Sequence, residues 1–315
     1  MNAPFKEGAQ APSPFIAGTA IQWAWDQTSI SWMQECWRKY YYSMVVGYRS
    51  KHESVHLFYG IIYHSALELF DRLKFQGQDF NTAQRSAVRF VLEQTWIDGK
   101  PWESGHDKKT RETLVRSVIW YLEHFRDDPA STIALANGEP AVELTFQMPL
   151  DFGPQEGTNY VLTGHMDRLV LLADNIYGSD RKTTSSALAS KYYETFKPNV
   201  QVTQYTLAGQ VIYKMPIKGI LIDAAQINIG ATNFGRTISY RTDSELAEYI
   251  NELRFDWFPQ AVERAASGRY PMNPQACHKY DGCQFRKVCS MDPSLRDRAL
   301  KSDFVIQPWN PLEVR

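Results

Sequence analysis

Long apolar runs are missing from this chain of 315 residues. None approaches the roughly 20 residues that a membrane helix needs, so no membrane association is expected. The first residues also lack a hydrophobic stretch behind a basic one, which predicts no signal peptide and a cytoplasmic location. Basic excess is absent too, because 34 Lys and Arg stand against 35 Asp and Glu. This balance gives no sign of binding nucleic acid through overall charge, whereas a local basic groove stays open.

Cysteine is scarce, and its placement is uneven. Of four cysteines, three form the pattern C-x5-C-x5-C at Cys277, Cys283 and Cys289, and Cys36 lies far upstream. Since cytosolic thiols stay reduced, such a cluster holds a metal more often than it forms disulfides. Zinc sites prefer tighter pairs, whereas thiolates from separate corners suit an iron–sulfur cubane. The spacing favours iron–sulfur, with zinc and plain buried thiols as the alternatives.

What is abundant is apolar and aromatic side chains, at 43% and 13% of the chain, enough for a sizeable core. We predict a flexible arm over residues 1–28, a folded region over 29–294 and a tail over 295–315. Helical periodicity marks residues 29–47, 54–73, much of 81–125, 199–215 and 243–268. Alternation predicts strands at 141–152, 158–173, 175–183, 218–230 and 236–241, with a hairpin turn at ADN. The order indicates a mixed α/β core with one helical insertion at about residues 76–130.

A carboxylate and lysine cluster carries the chemistry. Asp180 and Lys182 are two apart on a predicted strand and therefore share a face, and Asp167 lies on the preceding strand across a tight turn. Two carboxylates on adjacent strands can hold a hard cation such as Mg²⁺. A neighbouring lysine can polarise a water or offset phosphate charge. For a D-x-K triplet alone, a surface salt bridge at a sheet edge is the more frequent arrangement.

Two helices add residues to this cluster. His64 and Glu68 are one helical turn apart and share a face with Gly60. Gln201 and Tyr205 have the same spacing on a later helix. Taken singly, each pair is more often ordinary helix packing or surface.

The joint order of these motifs resembles the PD-(D/E)XK nuclease superfamily. The order is G-x-x-x-H, G-x-x-D-R, D-x-K-T, Q-x-x-x-Y and a three-cysteine tail with one early cysteine. The closest likeness is to the iron–sulfur branch, meaning the RecB and AddB nuclease domains and Cas4-type exonucleases, including phage-encoded relatives. The resemblance implies a restriction-endonuclease-like core, with a central mixed β-sheet flanked by helices.

The resemblance also implies the site residues. His64, Asp167 and Asp180 match metal ligands for Mg²⁺ or Mn²⁺, joined by the main-chain carbonyl of Arg181. The residues implied in catalysis are Asp167, Asp180, Lys182, Gln201 and Tyr205. Glu143 stands where relatives often have a strand glutamate. One departure is Ser179, in a polar Gly-Ser context, which predicts either an edge strand or a bend at Gly178.

For the cysteines, the resemblance implies a [4Fe–4S] cluster on Cys36, Cys277, Cys283 and Cys289. The cluster would act as a clasp joining the N- and C-terminal segments. The tail of relatives is commonly C-x2-C-x5-C, so the first spacing departs here. Basic residues around the clasp are predicted to contact a single DNA strand, with a solvated basic rim as the alternative. They are Arg38, Lys39, Lys279, Arg286 and Lys287.

The leading prediction is a metal-dependent DNA exonuclease acting on single-stranded ends in recombination, repair or phage DNA processing. The chain has no G-x-x-x-x-G-K-[ST] loop, so it has no visible helicase of its own; it works alone or serves a helicase or recombination partner. The alternatives are a Cas4-like endonuclease or trimming enzyme, an inactive DNA-binding module and a zinc-stabilised scaffold.

Overall fold

The computed structural model describes residues 11–51, 54–278 and 282–313. The strands are β1 Ala24–Asp26, β2 Tyr48–Ser50, β3 Trp96–Ile97, β4 Lys100–Pro101, β5 Ser131–Thr132, β6 Val142–Pro149, β7 Val161–Leu172, β8 Asn175–Thr184, β9 Ile217–Ile227, β10 Thr232–Ser239 and β11 Phe304–Ile306. The α-helices are α1 Gln27–Glu35, α2 Trp37–Tyr40, α3 Val55–Phe75, α4 Phe80–Gln94, α5 Arg111–His124, α6 Ser190–Glu194, α7 Val200–Val211, α8 Asp243–Glu252, α9 Phe258–Ser267, α10 Arg286–Cys289 and α11 Pro293–Asp303. Within these described ranges, no helix is long and apolar enough to cross a membrane.

Two compact units divide the chain, and each is assembled from separate segments. The first unit comprises residues 1–52, 145–164 and 243–315, and the second comprises 53–144 and 165–242. Two of the changes from one unit to the other fall inside β6 and β7. A boundary within a strand leaves no linker-like composition, which explains why the sequence shows no clean division.

A mixed sheet has the strand order β1-β7-β8-β9-β10, and β5 and β6 also pair with β7. The pairs β1–β7 and β8–β9 are parallel, whereas β7–β8 and β9–β10 are antiparallel. The prediction of an α/β fold with a central mixed sheet and flanking helices is confirmed. The arrangement is consistent with a restriction-endonuclease-like core.

The β7–β8 hairpin turns at Ala173 and Asp174, which both have positive φ, at 46° and 60°. Two consecutive left-handed residues suit the tight two-residue hairpin predicted from ADN. Strand β8 is not an edge, because it lies between β7 and β9. Its pairing with β9 shifts register between Ile176 and Gly178. The edge alternative for this polar strand is therefore wrong, and the irregularity falls at Gly178.

Three helices and one strand build the core of the second unit. Helices α3, α4 and α5 pack their buried side chains together and against Ala225 and Ile227 of β9. This core includes the helices of the predicted insertion, so they are part of the unit's main packing. Helix α3 thereby lies on a rigid support, which matters because it carries His64.

Side-chain caps fix where the site-bearing helices begin. The Ser54 hydroxyl accepts from the Leu57 amide at the start of α3, and the Asn199 side chain accepts from the Val202 amide at the start of α7. Such caps satisfy amides that have no partner within a helix. They set the register of His64 on α3 and of Gln201 on α7.

In the first unit, the ordered structure begins earlier in the chain than the predicted flexible arm allows. Residues 24–26 form β1, which pairs in parallel with β7, and Trp25 is completely buried. The Trp25 ring stacks on Tyr40 and on Phe258, with centroids 5.6 and 4.9 Å apart. The predicted flexible arm is therefore too long at its C-terminal end, because an indole buried on both faces anchors this segment.

Two predicted helices of the first unit are interrupted. The helix predicted over residues 29–47 breaks at Cys36, whose backbone is extended (φ −163°, ψ 116°). The helix predicted over 243–268 passes through a π-helical turn at Leu253–Trp257 before α9. The turn comes just before Pro259, which has no N–H to donate to a regular helical ladder.

Replacing Gly178 by Ala should lower the free energy of unfolding by about 1–3 kcal/mol, because it overpacks a filled space. A Cβ there would lie 2.7 Å from Ile220 Cδ1 and 2.9 Å from Met166 Sδ, and both side chains are fully buried. Gly230→Ala is the matched control, since its Cβ would meet nothing within 4 Å. Urea denaturation of the three proteins measures the effect, and equal stabilities for the two variants would contradict it.

Candidate active site

The candidate site lies in the second unit, where β7 and β8 part. The antiparallel ladder between them runs up to the pair Arg168↔Ser179. Asp167 and Asp180 come directly after that pair, each on its own strand. The two carboxylates therefore stand at the fork between the strands, as the hairpin and the spacing predicted.

The carboxylate of Asp167 has two neighbours from other elements. His64 Nδ1 of α3 lies 3.3 Å from Asp167 Oδ2. The Arg181 amide of β8 donates to the same oxygen at 2.7 Å. His64 is about one-quarter exposed, whereas Asp180 is buried at 2%. The structure therefore brings together residues from α3, β7 and β8 that lie far apart in the sequence.

Lys182 begins a chain of hydrogen bonds. Its ammonium donates to Asp180 Oδ1 at 2.9 Å and to Gln201 Oε1 at 2.8 Å. Gln201 Nε2 in turn donates to Tyr205 Oη at 3.0 Å, and Tyr205 donates to the carbonyl of His165 on β7. Helix α7 thus holds the ammonium in one orientation, which agrees with the predicted grouping of Gln201 and Tyr205 with the lysine.

The two carboxyls titrate differently. Burial alone would raise the pKa of Asp167, but the facing His64, the Arg181 amide and Lys182 outweigh it and lower this pKa to about 2. For Asp180, burial prevails and raises the pKa; Lys182 opposes this change and Asp167 adds to it. Asp167 is therefore the more acidic member of the pair.

Glu143 on β6 has a backbone conformation that is rare for a residue with a side chain, with φ at 49°. Its neighbour Val142 is held in place, because Arg72 Nη2 donates to the Val142 carbonyl at 3.1 Å. Arg72 is itself paired with Glu68 at 2.8 Å, so Glu68 supports a strand and is no part of the fork. Burial first, and then nearby carboxylates that include Glu143, raise the pKa of Tyr205.

The donor set at the fork fits a hard divalent cation. It offers two carboxylates and an imidazole, and Asp180 Oδ2 is buried without a well-formed hydrogen bond. Lys182 Nζ, 2.7 Å from that oxygen, provides the positive charge beside it. In the part of the chain that the structure describes, no three His, Cys, Asp or Glu side chains are arranged to hold a metal as they stand.

The four cysteines belong to the first unit and form no disulfide. Asn273 connects two of them: its amide donates to Cys36 Sγ at 3.3 Å, and its carbonyl accepts from Cys277 Sγ at 3.7 Å. The Cys283 amide donates to the Cys277 carbonyl at 3.1 Å. Burial raises the pKa of Cys283 and of Cys289, and the other thiols add to that rise. Cys283 and Cys289 are therefore within electrostatic reach of the other thiols, and thiolates are a type of side chain that binds metals.

The predicted DNA-contacting residues divide into separate surroundings. Lys39 pairs with Glu35 at 2.6 Å, Arg286 Nη1 lies 3.4 Å from His278 Nδ1, and Lys287 is exposed. Lys279 lies outside the described residues. Arg38 lines an open groove of about 780 Å³ in the first unit.

That groove contains residues that the sequence prediction missed. Arg264, Arg269 and Arg296 line it beside Arg38, with Asp297 as its acidic member. Four tyrosines also line it, together with small and apolar residues; the tyrosines are Tyr41, Tyr42, Tyr48 and Tyr270. Periodicity could not group these residues, because they come from distant segments. The only local signal is the pair of arginines near the end of α9.

The chain is similar in sequence to one protein superfamily and, to a limited extent, to solved structures. The sequence pattern of the PD-(D/E)XK nuclease superfamily matches residues 24–290. No curated protein sequence matches. A candidate exonuclease from Eubacterium rectale is 12% identical, over 85% of this chain and 88% of that one, with a TM-score of 0.47. The protein SSO0001 is 11% identical, over 45% of this chain and 64% of that one, with a TM-score of 0.23.

The superfamily match covers most of the chain. It includes the fork with Asp167 and Asp180, and it includes His64 and Lys182 beside them. It also spans the helices and strands that support these residues. The chain therefore belongs to the PD-(D/E)XK nuclease superfamily.

Proposed function

We propose that this protein is a Mg²⁺- or Mn²⁺-dependent exonuclease that hydrolyses phosphodiester bonds at the ends of single-stranded DNA. Its setting would be recombination, repair or phage DNA processing. One observation carries the proposal: Lys182 Nζ lies within hydrogen-bond distance of both Asp180 and Gln201, at the fork that also holds Asp167 and His64. An ordinary surface salt bridge would not need the partner on α7 or the buried carboxylate.

The residues that would hold the cation are His64, Asp167 and Asp180, with the carbonyl of Arg181. A divalent cation supplies activation of a water and neutralisation of charge at the scissile phosphate. The buried Asp180 suits this role, because a carboxylate with a raised pKa gains most from a nearby positive charge.

Lys182 would orient the attacking water and stabilise the negative charge that develops on the phosphate. Its ammonium has three protons, and Asp180 and Gln201 accept two of them. The third can point to the water or to a phosphate oxygen. Gln201 and Tyr205 act by holding Lys182 in place, since Tyr205 fixes Gln201 against the backbone of β7.

The arginine and tyrosine groove of the first unit is the surface we propose for the single strand. Four arginines against one aspartate favour a phosphate backbone, and Tyr41, the part-exposed tyrosine of the groove, offers a ring on which a base can stack. Tyr41 and Tyr270 already stack on each other with centroids 4.6 Å apart. Of the residues predicted to contact DNA, Arg38 has the surroundings that best suit this role.

We also propose that Cys36, Cys277, Cys283 and Cys289 bind a [4Fe–4S] cluster, with zinc as the alternative. Support comes from the location of all four in one unit, from the absence of disulfides among them and from the extended break at Cys36. Because no three of these side chains are arranged for a metal as they stand, binding requires the thiols to turn towards one another. The cluster would tie α1 and α2 to the C-terminal segment.

Lys182→Ala should lower the rate of single-strand cleavage with Mn²⁺ by about 10²–10⁴-fold, as expected when a group that positions a proton or charge is removed. Lys218→Ala is the matched control. Ala224 of β9 pairs with Lys182, and Lys218 lies six positions earlier on that strand, about 20 Å away. Digestion of end-labelled DNA measures both, and equal rates for wild type and Lys182→Ala would reject the site.

Linear single-stranded DNA should be degraded, whereas a circular single strand of the same sequence should stay intact. The reason is that an exonuclease needs an end to begin. Gel analysis of both substrates over time distinguishes the proposal from a Cas4-like endonuclease, which would cut the circle. Binding of both substrates without cleavage would favour the inactive DNA-binding module.

Cys283→Ser should remove the visible absorption of an iron–sulfur cluster from anaerobically purified protein and lower its melting temperature. Cys283 packs with a buried cluster of apolar side chains, so loss of a metal link there loosens their surroundings. Ser290→Ala, at an exposed residue next to Cys289, is the control. The iron, sulfide and zinc contents of the purified protein distinguish the alternatives. Zinc without iron would indicate a zinc site in place of the cluster, and the absence of both metals would indicate plain thiols.

A further inference from the structure

Both site carboxylates are followed in sequence by an arginine. Asp167-Arg168 lies on β7 and Asp180-Arg181 lies on β8. Consecutive residues of a strand point to opposite faces. Each arginine is therefore directed to the face away from its aspartate. Because one peptide unit joins the two residues, fixing the arginine side chain also constrains the position of the aspartate.

One carboxylate receives both arginines. Asp71 Oδ1 lies 3.3 Å from Arg168 Nη1, and Asp71 Oδ2 lies 2.8 Å from Arg181 Nη1. The three residues are between 3% and 7% exposed. Among the described residues, Asp71 is the only carboxylate within ion-pair distance of Arg181.

Asp71 also belongs to the helix that carries His64. The two residues are seven positions apart on α3, about two turns, and so lie near the same face of the helix. One helix therefore contributes an imidazole beside Asp167 and a carboxylate beside the two arginines that follow the site aspartates. A shift of α3, β7 or β8 relative to the others would break one of these contacts.

The connection reaches the fork through the backbone. The Arg181 amide donates to Asp167 Oδ2 at 2.7 Å, so the residue whose side chain Asp71 holds also orients the other carboxylate. The carbonyl of Arg181 is the predicted main-chain ligand. Displacing the Arg181 side chain would therefore move two groups of the site together.

Packing alone does not account for this arrangement. Buried ion pairs bring a desolvation penalty that can exceed their attraction, and apolar side chains of similar size often serve stability as well or better. The arrangement extends further: Arg168 lies 3.4 Å from Asp128, and Arg236 pairs with Asp128 and Asp223. Asp71 differs from Asp128 in that it contacts both arginines that adjoin the site, Arg168 and Arg181.

We propose that Asp71 is a positioning residue for the active site, which acts through Arg168 and Arg181 to hold Asp167 and Asp180 at the geometry that binds the cation. This inference rests on the proposed nuclease function and deepens it. The role is distinct from catalysis, because the ion pairs of Asp71 are with Arg168 and Arg181 and not with the groups of the fork.

The test compares Asp71→Asn with Asp223→Asn in the full-length chain. Asp223 is likewise buried in the same charge network, but it forms its ion pair with Arg236 and accepts a hydrogen bond from Tyr121. Titration with Mn²⁺ in the absence of DNA, followed by electron paramagnetic resonance, measures cation binding directly. We expect Asp71→Asn to weaken Mn²⁺ binding by about 10–100-fold, and Asp223→Asn to leave it unchanged.

Cleavage kinetics provide the second measurement. At a temperature where both variants are folded, Asp71→Asn should lower kcat by about 10²-fold with KM little changed, because misplaced groups slow chemistry more than they weaken substrate binding. If Asp71→Asn does not fold, the double variant Asp71→Asn/Arg181→Gln removes the unpaired charge. It should recover the fold and still bind Mn²⁺ weakly.

The outcomes separate the two proposals. Mn²⁺ affinity that is unchanged in Asp71→Asn, or equally reduced in both single variants, would overturn the positioning role and leave the nuclease intact. Wild-type protein that binds Mn²⁺ but cleaves no DNA would overturn the nuclease, and the Mn²⁺ titrations alone would then decide the role of Asp71. Wild-type protein that binds no Mn²⁺ would overturn both.

Discussion

The carboxylates of Asp167 and Asp180 lie side by side at the end of the β7–β8 ladder, and they constrain which residues can surround them. Asp167 and Asp180 repel each other when both are charged, and burial adds to the cost. Positive or hydrogen-bonding groups must therefore stand close by, and His64, Lys182 and the Arg181 amide do so. The same repulsion makes the fork suitable for a divalent cation, because its two positive charges offset the two carboxylates more completely than the single charge of a lysine can.

On the opposite face of the same strands, buried positive charge has to be balanced. There Arg168 and Arg181 are buried, and positive charges in the interior need carboxylates beside them. Asp71 meets that need from α3. Strand alternation joins the two faces, because each dipeptide of aspartate and arginine spans the sheet. The positions of the two aspartates at the fork and the charge balance of the two arginines are therefore linked through the backbone.

Local signals were strong enough to predict several features. The ADN turn needs no distant partner, and its two left-handed residues form the hairpin as predicted. The D-x-K spacing placed Asp180 and Lys182 on one face for the same reason, since alternation is a property of any strand. Features that depend on distant residues were missed or misjudged. Trp25 lies in a segment predicted to be an arm, and the break at Cys36 has no periodic signature.

The sequence by itself determined the superfamily, the α/β class and the identity of the residues at the fork. Those follow from short motifs, from the order of the motifs and from the periods of helices and strands. Only the tertiary structure decided that β8 is a buried central strand, that Lys182 is held from α7, and that one carboxylate of α3 serves both arginines. The physical reason is that ion pairs and buried hydrogen bonds depend on distance and burial in space, and no spacing along a chain encodes these.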